Sequence, residues 1–233
     1  MFVEGTLRWQ VTEDCPWDLL VALAVRDLAG IGDLAQPPLP RLEPAVTPVL
    51  QPHPESHPAQ PVDGRTRPRP APVLRAHPAR PGGDPVSTGT LEALAVQWQA
   101  WFEVAADRHR RLSAPLLHPP HFEAFDRAIE LQDAVIAHYA AAADWAAARH
   151  TEYAAVSAES HRRRAADIVD VVREREHELR RQAGYFRLDL EVLPLAEKGA
   201  WIIGPHTVAV STSLREDSAA FRAWLRPLVS ALV

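Results

Sequence analysis

Apolar and polar positions alternate at the start of the chain. Val3, Leu7, Trp9 and Val11 share one parity, while Glu4, Thr6, Arg8 and Gln10 share the other. A period of two marks a half-buried strand, so the pattern predicts a strand over 2–11, weakened at Gly5. The period then changes. Trp17, Leu20, Leu23, Ala24 and Leu28 recur at helical spacing. Asp14, Cys15 and Pro16 supply start signals for that helix, and Gly30 and Gly32 supply its stop.

Helical spacing resumes after Thr90. Leu91, Leu94, Trp98, Trp101, Phe102, Ala105 and Leu112 form a wide apolar stripe. Pro115, Pro119 and Pro120 force a turn. A second stripe follows through Phe122, Phe125, Ile129, Ile136, Tyr139, Ala143, Ala146, His150 and Tyr153. Two amphipathic helices joined by a short turn predict an antiparallel helical hairpin. No Pro or Gly interrupts the second helix before Gly184. The pattern therefore extends it over 122–183, roughly 90 Å at 1.5 Å per residue. Beyond Tyr153 the stripe thins to scattered apolar residues among dense charges, the signature of a coiled-coil arm or solvent-bridging helix. The helix over 91–113 is too short to cover all of it. Val156, Ile168, Val172 and Leu179 are thus expected to meet the α+β part, a second subunit or a partner.

Period two returns near the C-terminus. Phe186, Leu188, Leu190 and Val192 alternate with Arg187, Asp189 and Glu191, which predicts a strand with one wet face. A turn at Glu197–Gly199 leads to a second strand over Trp201–Val210, broken or bent at Gly204-Pro205. Ser213 and Glu216 read as a capping box for a last helix, with Phe221, Trp224, Leu225, Leu228 and Leu232 as its apolar face. A lone hairpin and helix are too small to be stable. Residues 1–30 and 185–233 are therefore expected to complete one α+β unit.

The expected fold class is α+β, mainly α: a long antiparallel helical hairpin or coiled-coil arm with a small α+β part. The expected organisation is an N-terminal strand–helix segment (1–34), a Pro-rich disordered linker (35–88), a helical hairpin or coiled-coil arm (89–184) and a C-terminal ββα segment (185–233). The linker rests on composition. Fifteen of the 22 prolines fall between Pro37 and Pro85, with almost no aromatic residue to anchor a core. A Pro-Arg run at Arg65, Arg67 and Arg69 can dock on an aromatic or acidic surface, but a soluble spacer is the simpler reading.

Charge and chemistry change this picture little. The net charge of −5 argues against a dedicated nucleic-acid binder. One cysteine excludes an intramolecular disulfide and a cysteine zinc cluster. No signal-like segment or membrane-length apolar run is visible, so a cytoplasmic location is expected, without a membrane partner. Cys15 at a helix start can be an activated thiol, although its Cys-Pro-Trp-Asp setting lacks a second cysteine. Gly30-Ile31-Gly32 resembles a nucleotide loop by letters, but follows a helix and runs into Pro37-Pro38. His109, His118 and His121 read as turn histidines, and the Glu174/His177 pair lacks the second motif that a di-iron site needs. No cofactor or metal is expected.

Arg162, Arg163 and Arg164 are the candidate phosphate contacts. Nine Arg against seven acids from Arg149 to Arg187 leave a net of only +2 (9 − 7), as on a salt-bridged solvated face. The leading expectation is a non-catalytic interaction, scaffold or assembly protein that uses the arm for self-association or a protein partner. The alternatives are a nucleic-acid-associated protein using the Arg-rich end of the arm, or an enzyme with a reactive thiol.

Overall fold

In the computed structural model, residues 2–5, 8–48, 88–113 and 116–232 are described. The predicted spacer between 49 and 87, including its Pro-Arg run, lies outside them. The N-terminal alternation forms two strands rather than one. β1 (Phe2–Gly5) and β2 (Trp9–Asp14) pair antiparallel, with Phe2 opposite Glu13 and Gly5 opposite Gln10. β2 then pairs in parallel with β3 (Phe186–Leu193), Val11 opposite Leu188 and Asp14 opposite Glu191. The two termini therefore share one sheet. β3 pairs in parallel with β5 (Thr207–Ser211), and the short β4 (Ala200–Ile202) closes the edge antiparallel to β5. The order is β1-β2-β3-β5-β4. The break expected at Gly204-Pro205 is the turn between β4 and β5.

The sheet is covered on both faces, which the alternation in β3 did not reveal. Trp9, Val11, Leu188, Leu190, Val208 and Val210 point into one apolar cluster. The opposite parity was expected to be wet, yet Asp189 and Glu191 are 4% and 1% exposed. They lie buried because helices cover that face too, and each charge is paired. Thr12 Oγ1 donates to Asp189 Oδ1 at 2.5 Å, Arg187 pairs with Asp189 at 2.7 Å, and Arg111 pairs with Glu191 at 3.3 Å.

On that face lies α1 (Trp17–Leu28), in which every residue from Leu19 to Arg26 is buried. It is a central helix, enclosed on all sides rather than along one stripe. Its stop is Gly30, at φ +70, a conformation that costs glycine nothing. α2 (Thr88–Ala106) packs on α1 through Leu94, Trp98, Trp101, Phe102 and Ala105, largely as the stripe predicts. Trp98 Nε1 donates to Ala22 O at 2.7 Å, so even the indole nitrogen is satisfied in the core. A short α3 (Arg108–Ser113) follows, and Phe122 and Phe125 belong to a single 3₁₀ turn.

Residues 35–48 are not a free linker, contrary to the predicted boundary. They form a strap held across the α1 face. Arg26 donates to Leu39 O and Pro40 O, Asp27 accepts from Leu42 N, and Trp145 donates to Pro44 O. Leu39 and Leu42 are buried, and Leu42 bridges to Leu195. Proline content signalled an absent core here, but interspersed leucines and an arginine-acid clasp anchor the segment.

The long helix is real: α4 spans Ile129–Leu179, 51 residues. It is not a free arm. Its first half packs more extensively on α1 than on α2. Its second half crosses to the other face of the sheet, where Ile168, Val171 and Val172 join α6 (Ser218–Leu232) in the second cluster. The helix stops at Arg180, earlier than the expected Gly184. Arg180 takes φ +52, its N–H bonds His177 O, and Arg181 N–H bonds Glu176 O, which closes the last turn. The second stripe is only partly in register. Phe122, Phe125 and Ala146 are buried, and Tyr139 and Tyr153 pack on the core. Leu131, Val135 and Ala142 face the core outside it, while Ile129 and Ile136 are 64% and 53% exposed. Starting the stripe at Phe122 imposed helical phase on residues that form the 3₁₀ turn instead.

The observed register predicts distinct mutational costs. Leu131→Ala should destabilise the protein by about 2–5 kcal/mol, whereas Ile129→Ala and Ile136→Ala should each cost less than about 1 kcal/mol. Urea unfolding followed by circular dichroism reads the difference.

Candidate functional site

β2, β3 and β5 run parallel, so their carboxyl ends emerge on the same edge of the sheet. A cavity of about 330 Å³ lies there. Cys15 follows β2, Val192 and Pro194 end and follow β3, and Thr212 and Ser213 follow β5; all five line it. Arg149, Glu152, Tyr153 and Val156 form one wall from the part of α4 that passes between the two faces. The strap contributes Glu43 and Pro44, and the short α5 (Thr212–Glu216) contributes Glu216. The helix is otherwise mostly exposed from 147 to 163, consistent with its bridging the edge of the sheet there.

Beside the cavity lies a buried ionic cluster built on Glu13. Its parity in β2 is that of Val11, so its side chain enters the α6 side and is fully buried. Arg164 Nη1 donates to Glu13 Oε1 at 2.5 Å, and Arg215 Nε donates to Glu13 Oε2 at 2.7 Å. The Tyr153 hydroxyl donates to Oε1 at 3.4 Å. Arg215 uses its other nitrogens too: Nη1 on Asp167 Oδ2 and Nη2 on Arg164 O. Its guanidinium lies 4.0 Å over the Phe221 ring. Ser218 Oγ donates to the same Asp167 oxygen at 2.8 Å. Two acids and two arginines make the cluster neutral, the condition under which buried charge is tolerable.

Arg164 differs from Arg215 in one respect. It is 1% exposed and lines the cavity, yet its Nε and Nη2 have no hydrogen-bond partner among the described residues. The Nε of Arg149, on the cavity wall, is also buried without a partner, although Arg149 Nη2 pairs with Glu152 at 2.5 Å. Buried donors are nearly always satisfied in folded proteins, so these nitrogens, which have no accessible surface, are a cost that the cluster carries.

Cys15 is a poor nucleophile in this setting. It is buried, and burial together with the adjacent Asp14 and Glu191 carboxylates pushes its thiol far above the usual range, only partly countered by Arg164. The helix-start argument for an activated thiolate fails because α1 begins inside the protein, next to acids. Burial and Glu13 likewise hold the Tyr153 hydroxyl protonated. Glu13 has both oxygens engaged by arginines. None of these three groups is an unengaged base; the other carboxylates on the lining are those of Glu43, Glu152 and Glu216.

The residues singled out by sequence are scattered. Ile168 and Val172 are completely buried against the sheet and α6. They are core residues and not a partner face, because α4 folds back over the sheet that the sequence reading had left uncovered. Leu179 is half-buried at the end of α4, and Val156 is 37% exposed and lines the cavity. Arg162, Arg163 and Arg164 do not form a common phosphate surface. Arg162 is exposed, Arg163 donates to Glu216 O and Ser218 Oγ, and Arg164 is the buried partner of Glu13. Three successive helical residues point in different directions, 100° apart. His109 stands against Arg187, while His118 and His121 are exposed. Among the described residues no group of three or more His, Cys, Asp or Glu converges as a metal site, and no helix is long and apolar enough to cross a membrane.

Sequence reasoning missed Glu13, Arg215 and the cavity. One signal was present: Glu13 stands on the apolar parity of its strand, where a charge needs a buried partner. Which arginines supply it, 151 and 202 residues away, is not encoded locally. Compared with protein-family models, with curated proteins and with solved structures, the chain finds no match.

A second acid on the other face makes stability depend on pH. Burial pushes Glu191 up to about 7; Arg111 offsets this in part, and Asp14 and Asp189 add to it. Folded protein therefore holds a proton that unfolded chain releases near the usual carboxylate range. The contribution is full below that range and is lost as pH rises through about 7. Relative to Glu191→Gln, which mimics the protonated form, wild type should lose about 3 kcal/mol of unfolding free energy between about pH 4.5 and about pH 8. Urea titrations at the two pH values test this.

Proposed function

We propose that this protein is a small-molecule-binding α/β protein whose site is the cavity at the carboxyl ends of β2, β3 and β5. The observation that carries the reading is the convergence of three parallel strand ends on one cavity. In open parallel sheets, ligands bind outside the carboxyl ends of the strands where the strand order reverses; here β2, β3 and β5 follow in one direction, and the opening at their ends is made by α4 crossing the sheet edge. The volume lies at the lower end of the range for small-molecule sites. The walls combine apolar Pro44, Val156, Val192, Pro194 and Leu195 with five charged residues, Glu43, Arg149, Glu152, Arg164 and Glu216, a more polar lining than most small-molecule sites have. Glu13 is engaged by two arginines and Cys15 is held protonated, so neither supports a catalytic reading.

The neutral fluorophore N-phenyl-1-naphthylamine tests this with no charge requirement. It should bind the full chain at one site with enhanced fluorescence. Val156→Trp, which fills the cavity from an exposed helical position, should remove that binding and leave the unfolding curve unchanged. Absence of saturable binding, or binding indifferent to the tryptophan, would count against the site.

A second reading retains a protein partner. Its support is the outward placement of Ile129 and Ile136, seven residues apart on one side of α4. Large apolar residues spaced at two helical turns on a solvent face can seat a partner helix. If the chain self-associates there, Ile129→Glu with Ile136→Glu should lower the mass seen by light scattering without unfolding the protein. A wild type that is monomeric at high concentration argues against self-association.

A further inference from the structure

The ligand class can be narrowed, on the reading that the cavity is the binding site. The narrowing comes from how polarity is distributed along its depth. Val192 and Leu195 are 1% and 4% exposed, so they form the floor. Glu43, Glu152 and Glu216 line the same cavity and are exposed, so they stand at its mouth. They come from three separate elements: the strap, α4 and α5. Carboxylates from three walls thus stand over an apolar floor.

The cations on the lining do not balance these acids. Arg164 is already spent: its Nη1 holds Glu13 Oε1, and its other nitrogens have no accessible surface. Arg149 Nη2 holds Glu152. Without the neutral Arg164–Glu13 pair, the lining carries a formal balance of −2 (1 − 3), Arg149 against three glutamates. Glu43 is fixed through its backbone, whose N–H donates to Pro194 O. Glu216 is fixed through its carbonyl, which accepts from Arg163 Nη1. Their carboxylates form no ion pair among the described residues, so both can meet a ligand. An anion is repelled by this rim. A neutral apolar molecule uses only the floor. A molecule with an apolar body and one cationic end uses both.

We infer that the cavity takes an amphipathic organic cation: a primary ammonium group on an apolar body the size of one aromatic ring. The body lies against Val192, Pro194 and Leu195, and the ammonium group sits at the mouth with Glu43 and Glu216. A primary ammonium suits this rim because it donates three hydrogen bonds and can reach acceptors on more than one wall. The volume of about 330 Å³ fits a ring-sized body. Contacts at the mouth stay hydrated, so the charge supplies selectivity more than affinity.

The test is displacement of N-phenyl-1-naphthylamine from the full chain by 2-phenylethylamine, 2-phenylethanol and phenylacetate. These carry a cation, a neutral group and an anion on nearly the same apolar body. The amine should displace the dye roughly three- to tenfold more effectively than the alcohol, the scale of hydrated ion pairs, and the acid should be weakest. The advantage of the amine should shrink as salt is raised from about 0.02 M to about 0.3 M. Glu43→Gln/Glu216→Gln should bring the amine down to the alcohol and leave dye affinity unchanged. Both acids are exposed, so this variant keeps the fold, which an unchanged unfolding curve checks. Equal displacement by amine and alcohol, stronger displacement by the acid, an amine advantage that survives in the double variant, or dye binding that none of the three displaces would each overturn the inference while leaving the cavity in place. Failure of the dye itself to bind would instead overturn the cavity reading on which the inference rests.

Discussion

Glu13 is the point through which the rest of the structure is tied. It is a fully buried carboxylate at the end of a central strand, and isolated burial of such a charge is prohibitive. It persists because α4 and α5 each bring an arginine to it. That requirement binds three parts of the chain that are far apart in sequence. Removing one member of a buried ion pair leaves the other uncompensated and costs on the order of 3–5 kcal/mol. The cluster contributes less as net stability than as a constraint on register: only one placement of α4 over the sheet brings Arg164 to Glu13.

That placement explains the length of α4. A helix of 51 residues is about 76 Å long, more than one face of a small sheet can bury. Here the two halves serve different layers. Leu131 to Ala146 pack with α1, and Ile168 to Val172 pack with α6. The exposed stretch between them crosses the edge of the sheet where the parallel strands end. The cavity is enclosed as a consequence, with α4 as one wall and the strap as another. A continuous helix thus couples the two apolar clusters and the candidate site. The same geometry leaves Arg164 with only one of its nitrogens occupied, whereas Arg215, farther along the cluster, has all three engaged.

The two sheet faces illustrate a common ambiguity of alternating patterns. Asp189 and Glu191 read as solvent-facing because carboxylates usually are. Thr12, Arg187 and Arg111 allow them to be buried instead. The cost remains visible at Glu191, whose raised pKa reports incomplete compensation. Arg26 and Asp27 play a similar part in the strap: a buried arginine satisfies backbone carbonyls that no strand or helix would pair. Charged residues in this chain therefore organise loops and layers that apolar content alone would not hold.

From the sequence by itself came the local elements and their order. Helical spacing located α1, α2, α4 and α6, and period two located the strand regions while merging β1 with β2 and β4 with β5, because these patterns depend on neighbours within a few residues. The need for the termini to complete one sheet also followed, since neither contains enough strand to stand alone. The tertiary structure alone decided which faces are covered, where the long helix packs and where the cavity lies. Ile168 and Val172 carry the same apolar signature whether they meet a partner, a second copy or the sheet. Arg164 carries the same charge on a solvated face or against a buried acid. Those outcomes depend on contacts between residues more than a hundred positions apart, and periodicity within one segment holds no record of them.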